Sequence, residues 1–321
     1  MNFTITGAFS QDVVNIYKEK GLEVNLSSFS WADKDNIVEQ VKGYNCWLNF
    51  GTICTAEMLE ALSPELKMVC RNGIGYDQID IETATKLGIC VTNTAGSMNE
   101  SVGETAAVLI LETMRKLYLY NRQMVTGNMQ RNIPSHGLYG KTIGFVGFGG
   151  IARQCAQFLS GFGCTYLAYD EYLPNEIAEA AGAKLVSLDE LAAECDVISI
   201  HCPLTPETHH MINMDFFKKM KNSAMIVNTA RGPIINEKDL LKALQDGIIA
   251  GAGLDVYEEE PVQADNPLIQ LPQVITLPHI AYYTEESQVK TQKQGADNVL
   301  DFIEGKVPRN CLNPEYVNYI K

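Results

Sequence analysis

The stretch T-I-G-F-V-G-F-G-G-I-A, Thr142 to Ala152, restricts the fold of this chain more than any other. A buried-looking apolar run meets Gly147, Gly149 and Gly150, and a helix-forming sequence follows at once. A strand that turns this tightly into a helix needs glycine where the backbone takes a positive φ and where helix and strand approach closely. The first N–H groups of such a helix have no intrahelical partner and lie at the positive end of its dipole, so they form a cradle for an anionic group such as a pyrophosphate. Gly147, Gly149 and Ala152 give the spacing G-x-G-x-x-A, with Ile151 inside it. Ordinary tight turns carry the same spacing, so context has to decide. Asp170 supplies that context, closing the next predicted strand 18 residues beyond Ala152. A carboxylate there accepts hydrogen bonds from both ribose hydroxyls and repels a 2′-phosphate, and the D-E-Y-L-P that follows holds no arginine. The cofactor implied is NAD rather than NADP.

Some 140 residues of organised sequence precede this turn, and a chain of 321 residues has room for two domains. F-T-I-T-G, V-V-N-I-Y-K-E-K-G, N-C-W-L-N-F, A-E-M-L-E-A-L, L-K-M-V-C and I-C-V-T-N alternate strand and helix character, the pattern of a parallel sheet covered on both faces. From Asn99 to about Val125, Val102, Ala106, Leu109, Ile110, Met114 and Leu117 fall at helical spacing, and one long helix is expected. A second alternation follows, with strands expected at 142–147, 165–169, 184–186, 196–201, 224–229, 249–254 and 274–277. A last helix begins near Ser287. The segments 1–98 and 288–321 are expected to form one domain and 99–287 an inserted dinucleotide-binding domain, with a cleft between two lobes.

The formal charge of −14 argues against nucleic acid or an anionic membrane as partner. An anionic ligand then requires a few local cations and backbone N–H groups. No apolar run is long enough to span a bilayer, and M-N-F-T-I-T-G lacks the basic flank and apolar core of a secretory signal. Nine scattered cysteines without C-x-x-C spacing read as reduced thiols, so a cytoplasmic location is expected. No metal is expected: His209 and His210 are adjacent, their side chains diverge, and no acidic or cysteine partners sit at ligand spacing.

Three residues point to chemistry. Arg231 follows the apolar strand A-M-I-V-N-T-A, Glu260 ends E-E-E before a proline, and His279 stands in L-P-H-I. An arginine at a strand end, an acidic run and a single histidine are each unremarkable alone. All three fall at the carboxyl ends of predicted strands, where open parallel sheets bind ligands.

Taken together, R-N-G-I-G-Y-D-Q-I-D, G-K-T-I-G-F-V-G-F-G-G-I-A, H-C-P-L-T-P-E-T, N-T-A-R-G, A-G-L-D-V-Y-E-E-E-P and L-P-H-I resemble the D-isomer-specific 2-hydroxyacid dehydrogenases over nearly the whole chain. The resemblance implies an α/β fold of two parallel-sheet lobes, a Rossmann NAD domain inserted into a flavodoxin-like substrate domain. It implies hydride transfer between NAD(H) and a small 2-oxo or 2-hydroxy acid, with catalytic residues Arg231, Glu260 and His279. A protonated histidine suits proton delivery to the carbonyl oxygen near neutral pH, a carboxylate on its other nitrogen favours the charged ring, and an arginine grips a carboxylate with its planar donors. The family pattern also places Asn72, Gly73, Ile74 and Gly75 at the substrate carboxylate. It places Gly150 and Ile151 at the pyrophosphate, Cys202 and Pro203 near the adenosine, Thr229 and Asp255 near the nicotinamide, and Val102 by the ring, with Ala230, Arg231 and His279 also meeting the cofactor. Relatives are dimers with the long helix in the interface, so a homodimer is expected.

Relatives acting on 3-phosphoglycerate tend to carry extra arginines on the first lobe. Arg71 matches one such place, but Asn49 and Phe50 stand where another cation would help, and no regulatory domain is expected after C-L-N-P. Met98 stands where the family more often has asparagine, with Asn99 next to it. A nucleotide-sensing scaffold of the same fold is the alternative from another class, and the complete Arg, Glu and His set favours the enzyme. Formate dehydrogenases of this fold carry glutamine where Glu260 stands.

Overall fold

Residues 3–27 and 34–320 are described by a computed structural model. The chain divides into two compact units, Met1–Met98 with Thr284–Lys321, and Asn99–Tyr283. Thr284 caps the helix Glu285–Ile303, so the expected boundary after residue 287 falls within that helix's first turn.

Among the described residues the first unit holds five strands, β1 (Ile5–Ala8), β2 (Val24–Leu26), β3 (Cys46–Asn49), β4 (Met68–Arg71) and β5 (Cys90–Thr92), all parallel in the order β2-β1-β3-β4-β5. This is the flavodoxin-like order. The sequence sorts by a period of two: Cys46, Leu48, Met68, Cys70 and Cys90 enter the core on one face, and Trp47, Val69 and Val91 the core on the other. Trp47 and Tyr17 are fully buried, and each such large side chain contributes about 1.5–3 kcal/mol by leaving water. Ser10, Thr55 and Asp80 cap three helices of this unit by accepting from backbone N–H groups of the first turn.

The second unit holds seven strands: β6 (Thr142–Val146), β7 (Thr165–Tyr169), β8 (Ala183–Leu185), β9 (Val197–Ile200), β10 (Met225–Asn228), β11 (Gly251–Leu254) and β12 (Val274–Thr276). They lie parallel in the order β12-β11-β10-β9-β6-β7-β8, which reverses direction between β6 and β9. That is the doubly wound dinucleotide-binding arrangement, and its switch point lies at the carboxyl ends of those two strands. Met225 and Val227 face one core and Ile226 the other. The helix Asn99–Arg115 packs on the helix Gly150–Phe158 through Gly103, where an added Cβ would stand 3.1 Å from Cys155 N and 3.2 Å from the Ile151 carbonyl.

The expected single helix over 99–125 is two helices, Asn99–Arg115 and Leu117–Val125. Lys116 between them takes a left-handed φ of 52°, at a cost of about 1–2 kcal/mol for a residue with a Cβ. The helical spacing continues across Lys116, so spacing cannot register a one-residue change of axis. The redirected helix is held by Tyr118 and Tyr120, whose hydroxyls donate to the Pro272 and Ile133 carbonyls at 2.7 and 2.6 Å. Among the described residues no helix is long and apolar enough to cross a membrane.

Candidate active site

Gly147, directly after β6, has φ +82°, and a Cβ there would lie 2.7 Å from Cys202 N and 2.8 Å from Cys202 Cα. The turn is thus seated on the backbone that leaves β9, at the switch point. Gly149 is the N-cap of the helix Gly150–Phe158 and offers no side chain to its first N–H groups, and a Cβ on Gly149 would meet nothing within 4 Å. Gly150 lies under the Asn99 amide, 2.4 Å from where its Cβ would be. Asn99 therefore touches the glycine turn, while Met98 beside it is buried.

Asp170 ends β7 with both oxygens engaged. Oδ2 accepts from Phe148 N at 2.9 Å, and Oδ1 from Tyr172 N and Leu173 N at 3.0 and 3.1 Å. It fastens the glycine turn and starts the next turn as well. A carboxylate has about four lone-pair sites, so capacity for a ribose hydroxyl remains. Burial pushes the Cys202 thiol up to about 12, as befits a lining residue. Pro203 is exposed, and its carbonyl accepts from the Thr208 hydroxyl at 2.7 Å. Val102 is buried on the helix Asn99–Arg115. Thr229, at the end of β10, has a buried hydroxyl that meets no partner among the described residues. An uncapped helix start, an open face at Gly149, a strand-end carboxylate and a buried hydroxyl without a partner together fit a dinucleotide.

The turn carrying Arg231 is clamped by Asn228. Its Nδ2 donates to the Arg231 carbonyl and its Oδ1 accepts from Ala230 N, both at 2.9 Å. Arg231 Nη1 donates to the Ala230 carbonyl at 2.8 Å. Gly232 follows because nothing larger fits: a Cβ there would lie 1.9 Å from the Tyr257 carbonyl carbon and oxygen. That contact fixes the arginine turn against the loop bearing Glu260. Glu260 Oε1 accepts from Tyr257 N at 3.0 Å and Oε2 meets His279 Nδ1 at 2.7 Å. Burial would raise the Glu260 carboxyl, but the hydrogen bond and charge of His279, the Tyr257 N–H and the charge of Arg231 outweigh it and hold the group below its usual range. His279 itself has φ +55°, unusual for a residue with a Cβ. Asp255 holds it there: its carboxylate is fully buried and accepts from Ile280 N and Ala281 N at 2.8 and 2.9 Å. Burial raises the Asp255 carboxyl despite those two bonds. Asp255, expected near the nicotinamide, has both its oxygens bracing the histidine segment.

In the first unit the loop after β4 has its carbonyls taken one by one. Arg71 Nη1 donates to Asn72 O at 2.7 Å, Thr94 N to Gly73 O at 3.0 Å, Asn93 Nδ2 to Ile74 O at 2.9 Å and Arg71 Nε to Gly75 O at 2.9 Å. Of the four N–H groups expected to face an anion, those of Asn72 and Gly73 donate instead to Asn49 O and Arg71 O, at 2.8 and 3.1 Å. Those of Ile74 and Gly75 meet no acceptor among the described residues. The Asn72 side chain is also inward, accepting from the buried Tyr17 hydroxyl at 3.1 Å. Asn49 is fully buried and spends its amide on Thr52 O and Gly51 N, and Phe50 packs edge-on against Phe9 at 4.6 Å.

Asn228, Gly232 and Tyr257 are the contributors that sequence reasoning passes over. A polar residue ending an otherwise apolar strand is the signal that marks Asn228. The contacts of Gly232 and Tyr257 exist only in three dimensions.

A parallel sheet with an uncapped glycine turn at its switch point, and a paired histidine and carboxylate at the ends of neighbouring strands, define an NAD-dependent oxidoreductase. Residues 107–281 match the family model described as D-isomer specific 2-hydroxyacid dehydrogenase, NAD binding domain. A glyoxylate reductase of Korarchaeum cryptofilum is 37% identical over 93% of this chain and 92% of that protein. A D-3-phosphoglycerate dehydrogenase of Archaeoglobus fulgidus is 35% identical over 98% of this chain, which spans 59% of that protein. The crystal structure of D-lactate dehydrogenase from Aquifex aeolicus, complexed with NAD and lactic acid, superposes with a TM-score of 0.84 at 30% identity, covering 97% of this chain and 99% of that one. The chain belongs to the D-isomer-specific 2-hydroxyacid dehydrogenases. Its activity is that of an NAD-dependent oxidoreductase on the CH–OH group of a hydroxy acid.

Proposed function

We propose that this protein reduces a small 2-oxo acid reversibly to the D-2-hydroxy acid, with His279 as proton donor, Glu260 holding it and Arg231 binding the substrate carboxylate. The Glu260–His279 pair carries the reading. With Nδ1 engaged by Glu260 at 2.7 Å, Nε2 is the ring atom that gives and takes the substrate's proton. A carboxylate fixed by Tyr257 N–H on its other oxygen favours the imidazolium and sets its orientation. Bound NADH supplies the hydride. Arg231 presents planar donors suited to a carboxylate and polarises the carbonyl as charge builds on its oxygen. The N–H groups of Ile74 and Gly75, which meet no acceptor among the described residues, are the first unit's donors for a carboxylate. The pyrophosphate falls to Gly149, Gly150 and Ile151, and the ribose to Asp170. Cys202 and Pro203 line the adenosine, and Val102, Thr229 and Ala230 the nicotinamide.

The relatives named glyoxylate reductase favour a substrate with a short side chain. A phosphorylated substrate is disfavoured because Arg71 holds its own loop and Asn49 spends its amide internally. Following NADH absorbance with glyoxylate, hydroxypyruvate, pyruvate and 3-phosphohydroxypyruvate tests this. Turnover of none, with NADH bound, overturns the reading, and preference for the phosphorylated acid overturns its substrate part. His279→Ala removes turnover and leaves NADH binding intact. Exposed Val108, Leu117, Met124, Val125 and Met129 on and just beyond the helices of 99–125 support a homodimer, which light scattering checks. Nine free thiols support a reducing, cytoplasmic setting.

A further inference from the structure

The pair His209-His210, whose spacing disfavours a metal, holds an unassigned feature. His210 has φ +52°, one of three residues other than glycine among those described with positive φ, His279 being another. That conformation aims its two ends at two different loops. Its N–H donates to the Pro233 carbonyl at 2.8 Å, two residues past Arg231. Its Nε2 lies 2.8 Å from Glu258 Oε1, two residues before Glu260. Asn213 Nδ2 donates to the His210 carbonyl at 3.1 Å and Asn236 Nδ2 sits 3.5 Å from Nδ1, while the His209 ring lies 4.0 Å away at a tilt of 33°, so the two side chains approach each other rather than diverge as expected. With Nε2 protonated and Nδ1 neutral, every bond has a donor and an acceptor, so the bridge needs no net charge on the ring.

Glu258 is itself locked. Its Oε1 also accepts from Glu237 N at 2.9 Å, and its N–H donates to Glu237 Oε1 at 2.6 Å. Tyr257, next to Glu258, supplies the N–H that fixes Glu260 and the backbone against which Gly232 packs. We infer that His210 is a positioning residue, tying the Arg231 turn to the Glu260 loop so that Glu260 keeps its line to His279. The inference rests on the reading that Glu260 and His279 handle the proton. A carboxylate displaced by a fraction of an ångström holds an imidazolium less well, and misplacement of that order costs turnover far more than cofactor affinity.

The test compares His210→Asn with His210→Gln. Asparagine tolerates the left-handed backbone but is too short to reach Glu258, whereas glutamine sets an amide nitrogen where Nε2 stands. For His210→Asn we expect the maximal turnover rate to fall about tenfold. Its NADH affinity and thermal midpoint stay near wild type. His210→Gln recovers most of the rate. Glu258→Ala has a similar effect, and the double variant is no worse than either single one. His279→Ala and Glu260→Gln run alongside. If those two leave turnover intact, the catalytic reading itself falls. If they abolish it while His210→Asn keeps the wild-type rate, or its effect simply adds to that of Glu258→Ala, the positioning role alone is overturned.

Discussion

Two glycine-bearing segments leave parallel strands in this protein, Gly147–Ala152 after β6 and Asn72–Gly75 after β4, and they expose backbone N–H groups by opposite means. The first relies on a helix: Gly149 leaves the first N–H groups of Gly150–Phe158 without a side-chain cap, and the dipole adds its positive end. The second has no helix behind it. All four of its carbonyls are taken by Arg71, Asn93 and Thr94, and the N–H groups of Ile74 and Gly75 are left without an acceptor among the described residues. A regular element exposes donors at its end without help, whereas an irregular loop does so only where neighbours occupy its acceptors.

The largest effect falls on the helix-based turn. In Gly147→Ala a Cβ meets the Cys202 backbone at 2.7 Å, and alanine resists φ +82°. NADH affinity should fall about a hundredfold or more, equivalent to about 3 kcal/mol, with a lower thermal midpoint. Fluorescence titration with NADH checks this, and retained affinity would mean that the turn moves freely off Cys202. The loop is more forgiving of side-chain loss and sharper in what it loses. Arg71→Met removes the donors to Asn72 O and Gly75 O and should raise KM for the 2-oxo acid about tenfold while NADH affinity stays put. Gly73→Ala should act alike, since its Cβ would lie 2.4 Å from Arg71 Nη1. A parallel loss of NADH affinity in either variant would break the division of labour between the two segments. Smaller still is Asp170→Asn. It keeps an acceptor for Phe148 N but drops the charge, and should narrow the preference for NADH over NADPH by about tenfold.

The same contrast explains what is legible in the sequence. Regular periodicity exposes both sheets, and glycine spacing plus a strand-end aspartate exposes the first segment, because helix starts and strand ends use residue types that few other structures require. Arg231, Glu260 and His279 are legible as residues of suitable chemistry. What holds them is not: Asn228 gripping residues 230 and 231, Gly232 flush against Tyr257, and Asp255 under Ile280 and Ala281 are contacts between chain segments 25 or more residues apart or within irregular turns. The loop at 72–75 shows the limit best. Its glycines are visible, but which of its N–H groups stay without an acceptor depends on Asn49, Arg71, Asn93 and Thr94. The break at Lys116 is hidden because the apolar spacing runs on through it.

Acid should separate the two segments further, although mildly. All five histidines, at 136, 201, 209, 210 and 279, lie in Asn99–Tyr283. Burial lowers His201 to about 3, and its Nε2 pairs with the Ser199 hydroxyl at 2.8 Å. A histidine whose folded pKa is depressed stabilises fully above its unfolded value near 6.5, and that contribution is lost as pH falls from there toward about 3, at no more than about 1.4 kcal/mol per pH unit. His201 immediately precedes Cys202, the seat of Gly147, so the loss falls under the cofactor turn. His201→Gln keeps a partner for Ser199 without titrating. Between pH 6.5 and about 5.5, where ordinary carboxylates stay largely ionised, its thermal midpoint should decline less steeply than that of the wild type. Its NADH affinity should hold better over the same interval. Parallel declines would mean that the ring finds water in the folded state, and that the floor of the turn is less closed than its contacts indicate.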